Sequence, residues 1–430
     1  MDLLNTIKLT EKNSTFFIKI FWVIILFSFV AWLLGLFISP QGHQLDLFFL
    51  RMKDFWGDAT VVTHFVCERN PYQHLGSNYP PLPYLIYYMF ACVSSTPEGG
   101  YSEYYYQPAW TMLFVLFLFV NLGLLWYICA KQFQKGFSFD SMMIGLAMCL
   151  SGSMLFAFER GNAIIPAILA ITIYIFYYDS ECNWKKELAL FCLAIAFNIK
   201  LSPAIFGVLL ICSRDRRSIF KVIVYSICLF FLPFLFFEGG IHDLFRLIQN
   251  INSFASSHVG YSIINGTGLI AGYYQFVALF FGNDFEISVK TYLLFRCLSG
   301  EVSLMLFLGT FHQNEKWKQV LNLTLILLIL PSVSHEYNIL FLIPTTILFF
   351  KSFEEHSKWK HLQLSIDETL TFLSFIMIYF VYRCPVSDFF NQHIAVMILT
   401  MIGVYYSVKA FKNSHHILPI IFSCNRNTKT

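Results

Sequence analysis

Charge is what this sequence has least of. Asp, Glu, Lys and Arg make up 13% of its 430 residues, against 57% hydrophobic residues and 49 phenylalanines. So little charge excludes a soluble globular enzyme of this length, and the mean hydropathy of +0.60 fits a polytopic membrane protein. No long polar stretch separates the apolar runs, so we expect a single membrane domain over 1–430 with no fused soluble module. The net charge of +3 is scattered without a basic stripe, which argues against nucleic acid as a partner. There is no Walker motif, GxGxxG, HExxH or GxSxG, so nucleotide hydrolysis, dinucleotide redox chemistry and zinc proteolysis have no support. The 11 cysteines include no CxxC and no metal-ligand spacing, and neither a metal nor a cofactor is expected. Cys129, Cys149, Cys192, Cys212, Cys228 and Cys297 lie in apolar runs and read as small packing residues. Cys67 and Cys92 flank a polar segment and could pair in an oxidising compartment.

What the sequence does have is a series of apolar runs. Candidate spans are about 16–39, 109–130, 141–158, 162–179, 188–212, 218–237, 263–282, 289–311, 318–334, 337–352, 366–382 and 392–411. The first is too long for a signal-peptide core and lacks a small-residue cleavage site, so it reads as an uncleaved helix. Lysine and arginine set the orientation by the positive-inside rule. The inside clusters are Lys8/Lys12, Lys131/Lys135, Lys185/Lys186, Arg214/Arg216/Arg217/Lys221, Lys316/Lys318, Lys351/Lys358/Lys360 and Lys409/Lys412. The N-terminus is then cytoplasmic and the first loop, about 40–81, lies outside.

Two segments resist an up-down count. The 188–212 run has basic clusters on both sides and a polar, proline-containing break at Asn198–Pro203, so it reads as a broken hairpin with Lys200 near its outer tip. The 263–282 run opens on Asn265-Gly266-Thr267-Gly268 and is followed by Asp284 and Glu286, so it reads as re-entrant or interfacial on the outer side. Roughly ten to twelve membrane-embedded helices result. This topology puts Asp54, Asp58, Glu159, Arg160, Lys200, Glu238, His258, Asn265, His335 and Glu336 on one face, and the 238–262 loop joins them there. Polar groups gathered at one face of a membrane bundle line a cavity.

Four constellations stand out, each with a plainer reading. Asp54 and Asp58, spaced i, i+4 around Phe55 and Trp56, suit a general base if aromatic surroundings raise their proton affinity; singly, each is an ordinary loop acid. Glu159-Arg160-Gly161-Asn162 is either a structural ion pair or a phosphate clamp. Lys200 in an apolar run is a functional candidate by default or a snorkelling side chain. His335-Glu336-Tyr337 sits at a break between apolar runs, as a turn or as a phosphate or proton partner.

In order, these motifs resemble the GT-C superfamily of integral-membrane glycosyltransferases, and more narrowly glycosyltransferase family 87, the polyprenol-phosphate-mannose-dependent type. The likeness runs through Asp58, Asn70-Pro71-Tyr72, Tyr79-Pro80-Pro81, Arg160-Gly161-Asn162, Lys200-Leu201-Ser202-Pro203 before Arg214–Arg217, and His335-Glu336-Tyr337. It implies an all-α GT-C-like bundle. It also implies inverting transfer of a mannose-like hexose from a polyprenyl-phosphate donor to a lipid-linked or glycan hydroxyl at the outer face, in building a cell-envelope polysaccharide. Asp58, or Asp54, is then the base, and Arg160, Lys200 and His335 hold the donor phosphate. Tyr72, Tyr79, Asn162, Asn265, Glu336 and Tyr337 shape the substrate cavity. The lack of a DxD motif agrees with a donor that is not a nucleotide sugar. Two other readings stand beside it. One is an O-antigen-type polymerase or ligase, which usually has a large late outer loop. The other is a lipid-linked sugar flippase or transporter, which would show the repeated broken helices that are missing here.

Overall fold

The computed structural model describes residues 8–9, 11–38, 55–74, 76–95, 100–133, 136–282, 286–356, 362–363, 365–381 and 390–413. The described chain is almost entirely helical and forms an all-α polytopic membrane protein. In chain order the helices are α1 (Glu11–Ile38), α2 (Gly57–Val66), α3 (Pro81–Ala91), α4 (Pro108–Ala130), α5 (Phe139–Cys149), α6 (Gly152–Arg160), α7 (Ile164–Tyr177), α8 (Asn183–Ile199) and α9 (Val208–Cys212). They continue as α10 (Arg216–Phe231), α11 (Asp243–Ser257), α12 (Val259–Asn265), α13 (Leu269–Phe281), α14 (Val289–Thr310), α15 (Lys316–Ile329), α16 (Ile343–His356), α17 (Ile366–Tyr379) and α18 (Phe390–Asn413).

Among the described residues, five helices are long and apolar enough to cross a bilayer: Phe16–Gly35, Pro108–Ala130, Arg216–Leu235, Val289–Thr310 and Phe390–Asn413. The bent pair α5 and α6, angled by 47°, makes a sixth if it is one span. The other apolar runs become shorter helices, so the sequence's near-uniform greasiness hides two kinds of element. α7, and α15 beyond its polar first turn, lie inside the bundle, with Ile164, Ile168, Ile171 and Ile175 of one and Leu321, Leu325 and Leu328 of the other fully enclosed. The long helices α4, α10 and α14 instead leave Leu116, Phe119, Ile223, Ile227, Leu293 and Leu294 exposed, a surface suited to lipid.

Local signals explain the boundaries. Ser138, Asp215 and Ser288 cap α5, α10 and α14 by accepting from the backbone N–H groups of Ser141, Ser218 and Thr291. Ser365 and Glu368 form a capping box on α17. Pro203 follows the break at Lys200–Leu201 that ends α8. The start of α8 and the start of α10 lie together through a Lys186–Asp215 ion pair of 2.6 Å. Lys316 of α15 also pairs with Asp179 at 2.8 Å, so these charged connections share one end of the bundle. A two-residue ladder, Lys8–Leu9 against Leu362–Gln363, ties the chain's start to the segment after α16. The start of α7 and the end of α8 lie at the opposite end, and there the polar residues gather.

Candidate active site

Asp58 is the second residue of α2, where the helix N-terminus favours a negative charge. The helix is docked by its cap. Trp56 adopts a left-handed backbone (φ 51°), a conformation costly for a bulky residue, and its N–H donates to Glu159 O at 2.7 Å. The indole is buried, stacked on Phe55 and edge-on to Phe114 at 5.3 Å. Aromatic packing on α4 therefore fixes where α2 begins, and with it the position of Asp58.

The partner segment is the turn between α6 and α7. Gly161 has φ 62°, and a Cβ there would lie 2.9 Å from Ala59 Cβ and 3.1 Å from Phe114. Only glycine lets α2 approach this closely. Tyr87 of α3 fastens the turn by donating to Gly161 O at 3.0 Å. On either side of Gly161, Arg160 Nη2 donates to Asp58 Oδ1 at 2.6 Å and Asn162 Nδ2 donates to Asp58 Oδ2 at 2.6 Å. Asn162 Nδ2 also donates to the Tyr79 hydroxyl at 2.9 Å, while its Oδ1 accepts from Ile164 N at 2.9 Å and locks the amide at the start of α7. Asp58 and Arg160 stay partly open, with side-chain exposures of 19% and 27%.

Lys200 and His335 complete the cluster from two further breaks. Lys200 Nζ lies 4.2 Å from the Tyr337 ring centroid and donates to Asn338 Oδ1 at 3.4 Å. The Asp58 carboxylate acts electrostatically on Lys200, His335, Tyr79 and Tyr87. His335 sits in the turn after α15, held by a bridge to Gly266, with its ring 5.3 Å from Tyr337. Burial, then the Lys200 ammonium, push its imidazole down to about 4, so the ring is neutral near pH 7.

The other expected residues take different places. Tyr72 is enclosed between Tyr84, Phe234 and Phe237, and its hydroxyl donates to Tyr79 O at 3.1 Å, bracing Tyr79 from behind. Asn250 of α11 donates to Tyr72 O and His74 O and pins the same turn. Glu159 and Glu336 are each 1% exposed. Asp54 lies outside the described residues, as does the side chain of Asn265, whose backbone ends α12. Cys67 and Cys92 carry free thiols. Asn338, Tyr87 and Ser334 went unnoticed in the sequence as partners of the cluster. Asn338 lies one turn after His335, a spacing that was the one available signal.

The fold and this cluster define a polytopic membrane protein with an acid, two cations and an imidazole gathered at one end of its helix bundle. The chain belongs to glycosyltransferase family 87, a GT-C-type family of membrane glycosyltransferases, whose family model matches residues 78–331. Tyr79, Arg160, Asn162 and Lys200 fall inside the matched segment, whereas Asp58 precedes it and His335 follows it. No curated protein matches the chain. Family membership makes the protein a membrane glycosyltransferase and removes support from the flippase reading.

Proposed function

We propose that the protein moves a hexose, mannose-like, from a polyprenyl-phosphate donor to a hydroxyl of a lipid-linked or glycan acceptor, with inversion at the anomeric carbon. The whole of 1–430 acts as one membrane domain, with a cytoplasmic N-terminus and the Asp58 cluster on the extracytoplasmic side. The observation that carries this reading is a partly open carboxylate set among Arg160, Lys200 and His335.

Each Asp58 oxygen accepts one described hydrogen bond, and a carboxylate oxygen has two lone pairs. Asp58 can therefore take the acceptor's hydroxyl proton as that oxygen forms its bond to the anomeric carbon. The bond from the anomeric carbon to the phosphate oxygen breaks, and its electron pair leaves on the prenyl phosphate. A phosphate leaves already anionic, so cations serve it better than an acid: Arg160 supplies a fixed charge, Lys200, which burial lowers to about 7, is held protonated once the phosphate lies beside it, and His335 supplies an N–H. Arg160, paired with Asp58, can also share its planar fork with the donor phosphate.

The test is transfer from a prenyl-phosphate hexose in membranes. Asp58→Asn should lower kcat by about 10²–10⁴-fold, the usual worth of a positioned base. Wild-type rates in that variant would show that Asp58 is not the base.

A further inference from the structure

Thr267, in the Asn265-Gly266-Thr267-Gly268 segment between α12 and α13, lies against the turn that carries His335. Thr267 N donates to Ser334 O at 3.0 Å, and Gly266 bridges His335. Thr267 and Ser334 are buried, at 1% and 3% exposure. Their hydroxyls lie 2.6 Å apart.

These hydroxyls belong to a chain of hydrogen bonds whose direction is forced from both ends. At one end is an ammonium, which can only donate: Lys200 Nζ lies 3.4 Å from Asn338 Oδ1. That fixes the amide, so Asn338 Nδ2 donates to Ser334 Oγ at 3.2 Å. At the other end is a carbonyl, which can only accept: Thr267 Oγ1 donates to Leu328 O at 3.1 Å. Thr267 has a single hydroxyl hydrogen, so it accepts from Ser334. Leu328 lies in the last turn of α15, where carbonyls lack intrahelical partners and form the negative end of the helix dipole. Every bond therefore points from Lys200 toward that helix end, and bonds in such a chain polarise one another.

Lys200 is where such support matters. Burial pulls its ammonium down to about 7, and the Asp58 carboxylate opposes this. Asp58 is itself paired with Arg160, and His335 is neutral near pH 7. Tyr337 offers only the face of its ring. We propose that Thr267, Ser334 and Asn338 are positioning residues, which keep Lys200 charged and aimed by linking it to the end of α15. The phosphate-holding role of Lys200 rests on the lipid-phosphate donor reading; the chain itself does not.

Two readouts on the full-length protein in lipid nanodiscs test this. One is the pH dependence of Lys200 acetylation by acetic anhydride, read by mass spectrometry, which follows the free amine without substrate. The other is the pH profile of kcat/KM for a prenyl-phosphate hexose. Asn338→Leu removes a hydrogen bond to a charged group, so the Lys200 titration should move down by about one pH unit, a tenfold change in its ionisation constant. The alkaline limb of kcat/KM should move with it, and transfer lost near neutral pH should recover as the pH is lowered. Asn338→Asp puts a carboxylate in the same place and should move both upward. Thr267→Val breaks the link to Ser334 and should shift both downward by less, and Thr267→Ser should restore the wild-type values. An unchanged titration and profile with a lowered melting temperature would make these residues braces of the turn and overturn the proposal. A shift in Asn338→Leu with none in Thr267→Val would leave Asn338 acting alone and overturn the chain. Shifted acetylation, with no transfer from this donor even by the wild type, supports the chain and rejects the donor assignment.

Discussion

Asn162 holds Asp58 and Tyr79 with the same nitrogen: Nδ2 lies 2.6 Å from Asp58 Oδ2 and 2.9 Å from the Tyr79 hydroxyl. The amide cannot swing away, because its oxygen accepts from Ile164 N at the head of α7. Asn162 is 1% exposed, so this bond is made without competition from bulk water. The proposed base is thus oriented from the bundle interior on one oxygen and paired with Arg160 on the other.

Removing that orientation should cost activity more than fold. Asn162→Ala loses a hydrogen bond to a charged acceptor, worth about 1.5–3 kcal/mol, so kcat/KM is expected to fall roughly 10–100-fold. Asn162→Asp places a second acid against Asp58 and should be worse. Tyr79→Phe loses only the outer link and should be mildest. Steady-state transfer rates of the three variants check the ranking.

Gly161 sets how closely α2 packs on the α6–α7 turn. Gly161→Ala forces a Cβ within 2.9 Å of Ala59 Cβ at a left-handed φ, and should destabilise the protein by about 1–3 kcal/mol. Adding Ala59→Gly relieves the approach to Ala59 but neither the 3.1 Å approach to Phe114 nor the backbone strain, so only part of the stability should return. Thermal unfolding in detergent of the single and double variants measures both parts. Full recovery in the double variant would contradict the strain argument.

The Lys200 ammonium rests on the face of Tyr337, a geometry worth about 0.5–2 kcal/mol. Tyr337→Phe keeps the face and should leave donor KM near its wild-type value. Tyr337→Leu removes it and should raise that KM, and Lys200→Met should raise it further. A Phe variant as impaired as Leu would mean that the hydroxyl matters instead.

His335 predicts a pH dependence. Its folded pKa, pushed down to about 4, lies below the ordinary 6.5, so the unfolded chain binds the proton more readily than the native protein. The neutral-ring contribution is complete above pH 6.5 and declines as pH drops toward 4. Melting temperature should therefore fall across that window, and His335→Asn should flatten the fall. An identical slope in the variant would place the titration elsewhere.

The class of the protein is legible in its composition, because a chain with so few charges must bury or lipid-match its surface. Six ordered motifs point to the family whose model matches 78–331. Helix ends marked by Ser138, Asp215, Ser288 and Ser365 are readable for the same local reason: a capping side chain and the backbone it serves lie within a few residues. Which apolar runs are long spans and which are short buried helices is less legible, since the more apolar α7 is the short enclosed helix, whereas α14, which carries Lys290, Arg296 and Glu301, is the long lipid-facing one.

By itself, the sequence determines the membrane class, the breaks at Lys200 and His335, and the candidate acids and cations. Tertiary structure alone decides that Asp58 meets Arg160 and Asn162 across about a hundred residues, that Tyr72 braces Tyr79, and that Asn338 receives Lys200. The physical reason is range. Hydropathy and capping act between near neighbours. The contact between α2 and the Gly161 turn depends on ring packing and a missing Cβ, which only the assembled bundle brings together.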